Sequence, residues 1–201
     1  MMTIKKFSMM FIVFMFACLV ANAARAEGET HAKIQTSMGD IVVELYPDKA
    51  PKTVENFLQY ATDGHYDRTL IHRVVRGFVI QGGGYSRFFV ERPTRDPIPY
   101  EADNGLKNER GTLAMARSDH PDSAAAQWFI NLKDNTDLDH KMFEGLPVYG
   151  YTVFGRVVDG MDVADAIGAV ETGPGGQFES EVPVEPVIIE RVDPIEWPEA
   201  E

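Results

Sequence analysis

Apolar and polar residues alternate over two stretches near the start of the chain, 31–36 and 40–46, with Ser37-Met38-Gly39 between them. A period of two turns one side of a strand toward a core, so this pattern predicts a β-hairpin. Residues 47–51 carry two prolines and break the second strand. The period then changes: Val54, Phe57, Leu58 and Ala61 recur at helical spacing, with Pro51 at the entry and Gly64 just past the end. Strands are predicted at 69–75 and 78–81, the second one terminated by Gly82-Gly83-Gly84. Residues 87–108, rich in proline, arginine and acids, read as a long loop. Further strands are predicted at 111–117, 127–132, 152–158 and 184–192. Met161, Val163, Ala164 and Ile167 give a second helix ended by Gly168, and 172–177 reads as a glycine-rich turn. These are eight strands and two helices, and the helices are too few and too late for a βαβ repeat. The expected fold is mainly β: a closed eight-stranded antiparallel β-barrel capped by two α-helices.

The first 26 residues do not fit that pattern. Lys5 and Lys6 precede an apolar run over 7–20, and Ala24-Arg25-Ala26 follows with a small-x-small cleavage pattern. This predicts a cleavable signal peptide over residues 1–26, export and a mature chain starting at Glu27. The apolar run is shorter than the roughly 20 residues that span a bilayer. A lipid on Cys18 is the weaker alternative, since Met15-Phe16-Ala17 matches the usual lipobox poorly. Residues 27–192 then form one domain, and 193–201 an acidic tail.

Losing the leader removes three basic residues and no acids, leaving 16 basic against 31 acidic residues and a formal net charge of −15. A surface of that sign repels nucleic acid and anionic membrane, so neither is expected as a partner. Cys18 is the only cysteine, so thiol redox chemistry and a cysteine nucleophile are excluded from the mature chain. The five histidines, at 31, 65, 72, 120 and 140, show no metal-ligand spacing, and no cofactor or metal is expected. Gly82-Gly83-Gly84 is followed by no lysine-serine pair, which argues against a phosphate cradle.

Two polar side chains stand out within the apolar strands. Arg73 lies between Ile71 and Val75, and Gln81 ends the next run. Strand periodicity puts Val79 and Gln81 on one face, and Gln127 and Phe129 on one face, with Trp128 and Ile130 turned the other way into the core. Arg73 and Gln81 can therefore converge on an apolar set formed by Phe78, Val79 and Phe129.

The run from Ile71 through His72-Arg73 to Phe78-Val79-Ile80-Gln81-Gly82 resembles the first signature of the cyclophilin family of peptidyl-prolyl cis-trans isomerases. Residues 111–117, then Ala126-Gln127-Trp128-Phe129-Ile130-Asn131, resemble the second, and Leu138-Asp139 and residues 153–161 follow in order and spacing. The resemblance covers about residues 31–192 and is strongest to the short periplasmic cyclophilins of Gram-negative bacteria. It implies that Arg73 is the catalytic arginine. It places Phe78, Val79, Phe129 and Leu138 on the proline-pocket walls, Gln81, Ala116, Arg117 and Gln127 along the peptide backbone, and Tyr151 at the rim. The implied partners are proline-containing polypeptides, met by a monomer during the folding of exported proteins. Four departures from the family pattern stand out: Val79 for a methionine, Arg117 for the asparagine of eukaryotic members, Asp137 where those members have a tryptophan, and an insertion at 141–149. The rival expectation is a chaperone-like module that binds proline-containing segments with weak isomerase activity.

Overall fold

A computed structural model describes residues 30–198. The leader expected at 1–26 lies outside the described residues. In chain order the strands are β1 (His31–Thr36), β2 (Gly39–Leu45), β3 (Thr69–Val75), β4 (Val79–Ser86), β5 (Thr112–Met115), β6 (Trp128–Asn131), β7 (Lys141–Phe143), β8 (Leu146–Val148), β9 (Val153–Asp159), β10 (Thr172–Gly175), β11 (Phe178–Pro183) and β12 (Ile188–Ile195). The helices are α1 (Pro51–Thr62) and α2 (Met161–Gly168). Eight of the strands close into a barrel in the order β1-β12-β3-β4-β6-β5-β9-β2. Every pairing in it is antiparallel.

Alternation does what the sequence pattern requires. On β1, Ala32, Ile34 and Thr36 are buried while His31, Lys33 and Gln35 are half-buried. The main core holds Ile34, Ile41, Ile80, Leu113, Met115, Trp128, Ile130 and Phe154, and continues under α1 and α2. Phe57 of α1 packs its ring 5.3 Å from Phe154 and 5.5 Å from Tyr66. Large rings of this kind bury roughly 150–250 Å² each and dominate the burial energy. Helix α1 has no side-chain cap of its own, and Pro51 stands at its first turn. Its free N–H groups are instead met from the long loop: Lys52 and Thr53 donate backbone N–H bonds to Glu101, at 3.1 and 2.9 Å, and the Thr53 hydroxyl donates at 2.7 Å. A carboxylate there also complements the positive end of the helix dipole.

Three local expectations are corrected. The glycine triplet does not terminate β4; the strand runs through it to Ser86. A Cβ on Gly82 would stand 2.8 Å from Ile71 Cδ1, and one on Gly84 would stand 2.6 Å from the Gln127 side chain. The glycines are there for close approach, and the β3–β4 register shifts twice beside them. The turn predicted at 172–177 is a hairpin, with β10 paired to β11 outside the barrel. The last strand is β12, shifted later than expected, so Asp193, Pro194 and Ile195, read as tail, pair with Lys33, Ala32 and His31. The insertion at 141–149 forms a second small hairpin, β7–β8.

Candidate active site

Register assembles the site. Arg73 on β3 is paired with Gln81 on β4, Gln81 with Phe129 on β6, Phe129 with Ala114 on β5, and Ala114 with Val153 on β9. One row of residues thus crosses five neighbouring strands. Their neighbours Ile80, Ile130 and Leu113 face the main core, so the row faces the other way. There Val79, Ala114, Phe129 and Val153 form a second apolar cluster, flanked by Phe78, Leu106, Ala116, Leu138 and Tyr151. Phe129 and Tyr151 meet edge-on, with ring centroids 5.5 Å apart.

Above this cluster opens a cavity of about 260 Å³. It brings together Arg73, Phe78, Val79, Gln81, Ala116, Arg117, Phe129, Leu138 and Tyr151. Of the catalytic and substrate-binding residues expected from the sequence, Gln127 is the one not on its wall. Gln127 lines an adjoining cleft of about 390 Å³ that shares Gln81, Ala116 and Arg117 with the cavity. The two glutamines are linked, Gln81 Nε2 donating to Gln127 Oε1 at 3.0 Å. A wider depression of about 570 Å³ at Arg68, Arg87, Phe88, Pro186, Ile188 and Glu190 shares none of these residues.

The polar groups are oriented by different partners. Arg73 Nε donates to Glu181 Oε2 at 2.7 Å, and its Nη1 lies 3.5 Å from Gln81 Oε1. Arg117 is spent on carbonyls: Nε donates to Gly150 O at 2.9 Å and Nη2 to Tyr149 O at 2.6 Å. Its guanidinium also lies 4.8 Å from the Tyr151 ring centroid. Arg117 therefore ties the β7–β8 insertion to the cavity wall. Asp137 stands outside the cavity with its side chain fully exposed, 3.8 Å from Lys141 Nζ. Behind Arg73, His72 is 3% exposed. Burial pushes its imidazole down to about 4, and the neighbouring Arg73 charge acts in the same direction. His72 is therefore neutral near pH 7 and supplies no titration there. Among the described residues, no group of three or more His, Cys, Asp or Glu is placed to hold a metal ion.

The sequence reading missed the layer that fixes the walls. Asn135 Nδ2 donates to Phe78 O at 3.1 Å and to Asn131 Oδ1 at 2.7 Å. Asn131 Nδ2 donates to Asn108 Oδ1 at 3.2 Å. Asn108 Nδ2 in turn donates to Leu138 O at 3.0 Å and lies 3.4 Å from Tyr151 O. The backbone positions of three wall residues thus hang on one buried amide network. A signal was available: Asn131 shares the period-two face of Phe129, where an apolar residue would be the default.

The sequence pattern described as "Cyclophilin type peptidyl-prolyl cis-trans isomerase/CLD" matches residues 31–193. The chain belongs to the cyclophilin family. As a cyclophilin it is a peptidyl-prolyl cis-trans isomerase, and its substrates are proline-containing polypeptides. It is 54% identical over 157 residues to peptidyl-prolyl cis-trans isomerase B of Escherichia coli, covering 78% of this cyclophilin and 94% of the relative. Isomerase A of Dickeya dadantii is 46% identical over 168 residues, 84% of this chain and 86% of that one. Among solved structures, a Cryptosporidium parvum cyclophilin crystallised in the presence of the dipeptide Ala-Pro superposes with a TM-score of 0.65 at 26% identity, over 82% of this chain and 98% of that chain. The barrel order and the two helices described above are therefore those of a cyclophilin.

Proposed function

We propose that this isomerase accelerates X-Pro rotation in exported proteins as they fold in the periplasm, with Arg73 stabilising the twisted imide. Rotation about the bond removes amide resonance, against a barrier of roughly 18–20 kcal/mol, and takes tens to hundreds of seconds unaided. In the twisted state the proline nitrogen regains a lone pair, which the planar amide does not offer. A cation placed over an apolar pocket binds that state better than the planar one. Shortening ~100 s to ~1 ms is a factor of about 10⁵, or roughly 7 kcal/mol. A charge-assisted bond contributes part of this, and holding the ring while the chain rotates contributes another part.

The observation that supports the reading is that Arg73 stands on the wall of a cavity whose apolar lining is Phe78, Val79, Phe129, Leu138 and Tyr151, while the second arginine of the wall, Arg117, is bonded to backbone carbonyls. Gln81, close beside it, offers a donor and an acceptor to the peptide backbone. Export rests on the leader pattern at 1–26. Two measurements test the proposal together: intact mass of the protein from a periplasmic fraction, and the refolding rate of a proline-limited client with catalytic amounts of it. A mass beginning at Glu27 and a faster slow phase are expected. A retained leader, a lipid on Cys18 or an unchanged slow phase would each contradict it.

One feature favours a second role, the holding of extended clients. Hairpin β7–β8 exposes Met142, Phe143, Leu146 and Val148, with Phe143 at 64% and Leu146 at 70%. Arg117 and Tyr100 fasten its base beside the cavity, the Tyr100 hydroxyl accepting from Gly150 N at 2.9 Å. Exposed apolar clusters of this kind mark contact surfaces. Changing those four residues to serine is expected to leave turnover of a short proline peptide intact and to weaken suppression of client aggregation. Equal suppression by both forms would remove this role.

A further inference from the structure

Arg73 is clamped from outside the barrel. Its Nε donates to Glu181 at 2.7 Å, and Glu181 belongs to β11, which takes no part in the closed sheet. The carrier hairpin is fastened next to Arg73 by rings: Phe178 of β11 stacks on His72 at 5.6 Å and meets Tyr85 edge-on at 5.1 Å. Glu181 itself has φ 67, left-handed backbone that a glutamate adopts only under constraint. Its neighbours Val182 and Pro183 keep regular pairing to Gly173 and Thr172. The strain is thus local to the residue whose carboxylate grips the guanidinium at Nε.

We propose that Glu181 is a positioning residue for the isomerase reaction: by gripping Nε it fixes the plane of the Arg73 guanidinium and leaves the terminal nitrogens to face the proline imide. The proposal rests on the reading of Arg73 given above. Nε carries a single N–H, which points away from the outer edge of the fork. A carboxylate there, with Gln81 at Nη1, restrains the plane from two sides. Both side chains of the ion pair are more than a third exposed, 37% for Arg73 and 40% for Glu181. Such a pair adds little to stability, so its effect falls on geometry. Freed from it, a four-torsion side chain spreads over solvent rotamers and less of it is aimed at the bond.

Strain and grip can be separated by substitution. Glu181→Gly relieves the backbone and deletes the carboxylate; Glu181→Asn tolerates left-handed backbone and is too short to reach; Glu181→Gln keeps an acceptor at the same reach. Each is measured by thermal melting and by NMR exchange on a proline peptide, which separates kcat from KM. The Gly and Asn variants are expected to melt no lower than wild type, with kcat down three- to tenfold and KM within twofold, and Gln to recover most of the loss. In an Arg73→Ala background, removing Glu181 should cost nothing further. Wild-type kcat in the Gly and Asn variants would overturn the proposal, as would a loss of kcat that tracks a fall in melting temperature. If Arg73→Ala itself left kcat unchanged, the reading of Arg73 would fall instead, which keeps the two failures distinct.

Discussion

Asn108 shows how much of the site depends on residues that never touch the cavity. It is 2% exposed and bonds outward to Leu138 and inward to Asn131. Its backbone N–H also donates to Asp139 Oδ1 at 2.7 Å. Truncation to alanine would take one bond from the Leu138 carbonyl, which keeps the Tyr151 N–H, and one from the Asn131 amide, which keeps the Thr112 hydroxyl; each such bond contributes about 0.5–1.5 kcal/mol. Asn108→Ala is therefore expected to lower stability by about 1–3 kcal/mol in urea denaturation and to weaken proline-peptide binding, because Leu138 and Tyr151 lose their shared side-chain tether. A variant as stable as wild type would show that water replaces the network. Residues of this kind were hard to read in the sequence. An asparagine in a polar loop looks the same whether it faces solvent or a buried carbonyl, whereas Arg73, Gln81 and Phe129 stood out because they break or follow a strand period.

At the scale of elements, the barrel strands and both helices followed from apolar spacing, because burial on one face sets that spacing directly. The two small hairpins did not. Strand β10 is Thr-Gly-Pro-Gly, whose composition signals a turn, and it is held by pairing to β11 and by the rings beneath Phe178. The glycines of β4 misled for a related reason: they mark where another side chain must come close, and the distant partner is not visible locally. Gly84 gives a test. A Cβ there meets the flexible end of Gln127, so the fold can yield while the Gln81–Gln127 bond cannot. Gly84→Ala is expected to raise KM for a proline peptide severalfold, with the melting temperature changed by only a few degrees. Unfolding of the variant, or an unchanged KM, would contradict this account of the triplet.

For the whole molecule, His72 links the fold to pH. Its imidazole is held down to about 4 by burial, while an unfolded histidine takes up its proton near 6.5. The unfolded chain then binds more protons between those values, so stability falls as pH drops from about 6.5 toward 4. The shift corresponds to a loss on the order of 3 kcal/mol, to which carboxylate titration adds below about pH 5. His72→Gln is expected to flatten the melting temperature between pH 6.5 and 5 relative to wild type. Identical pH profiles would show that His72 is not the group responsible. Turnover near neutrality is expected to show no such dependence, since His72 is neutral there.

The central claim is that Arg73 acts on the twisted imide. Turnover of a proline peptide by Arg73→Ala, with folding checked by circular dichroism, tests it most directly. The variant is expected to fold and to turn over more than tenfold more slowly, a loss of more than about 1.4 kcal/mol in transition-state binding. A folded variant with near-normal turnover would contradict it.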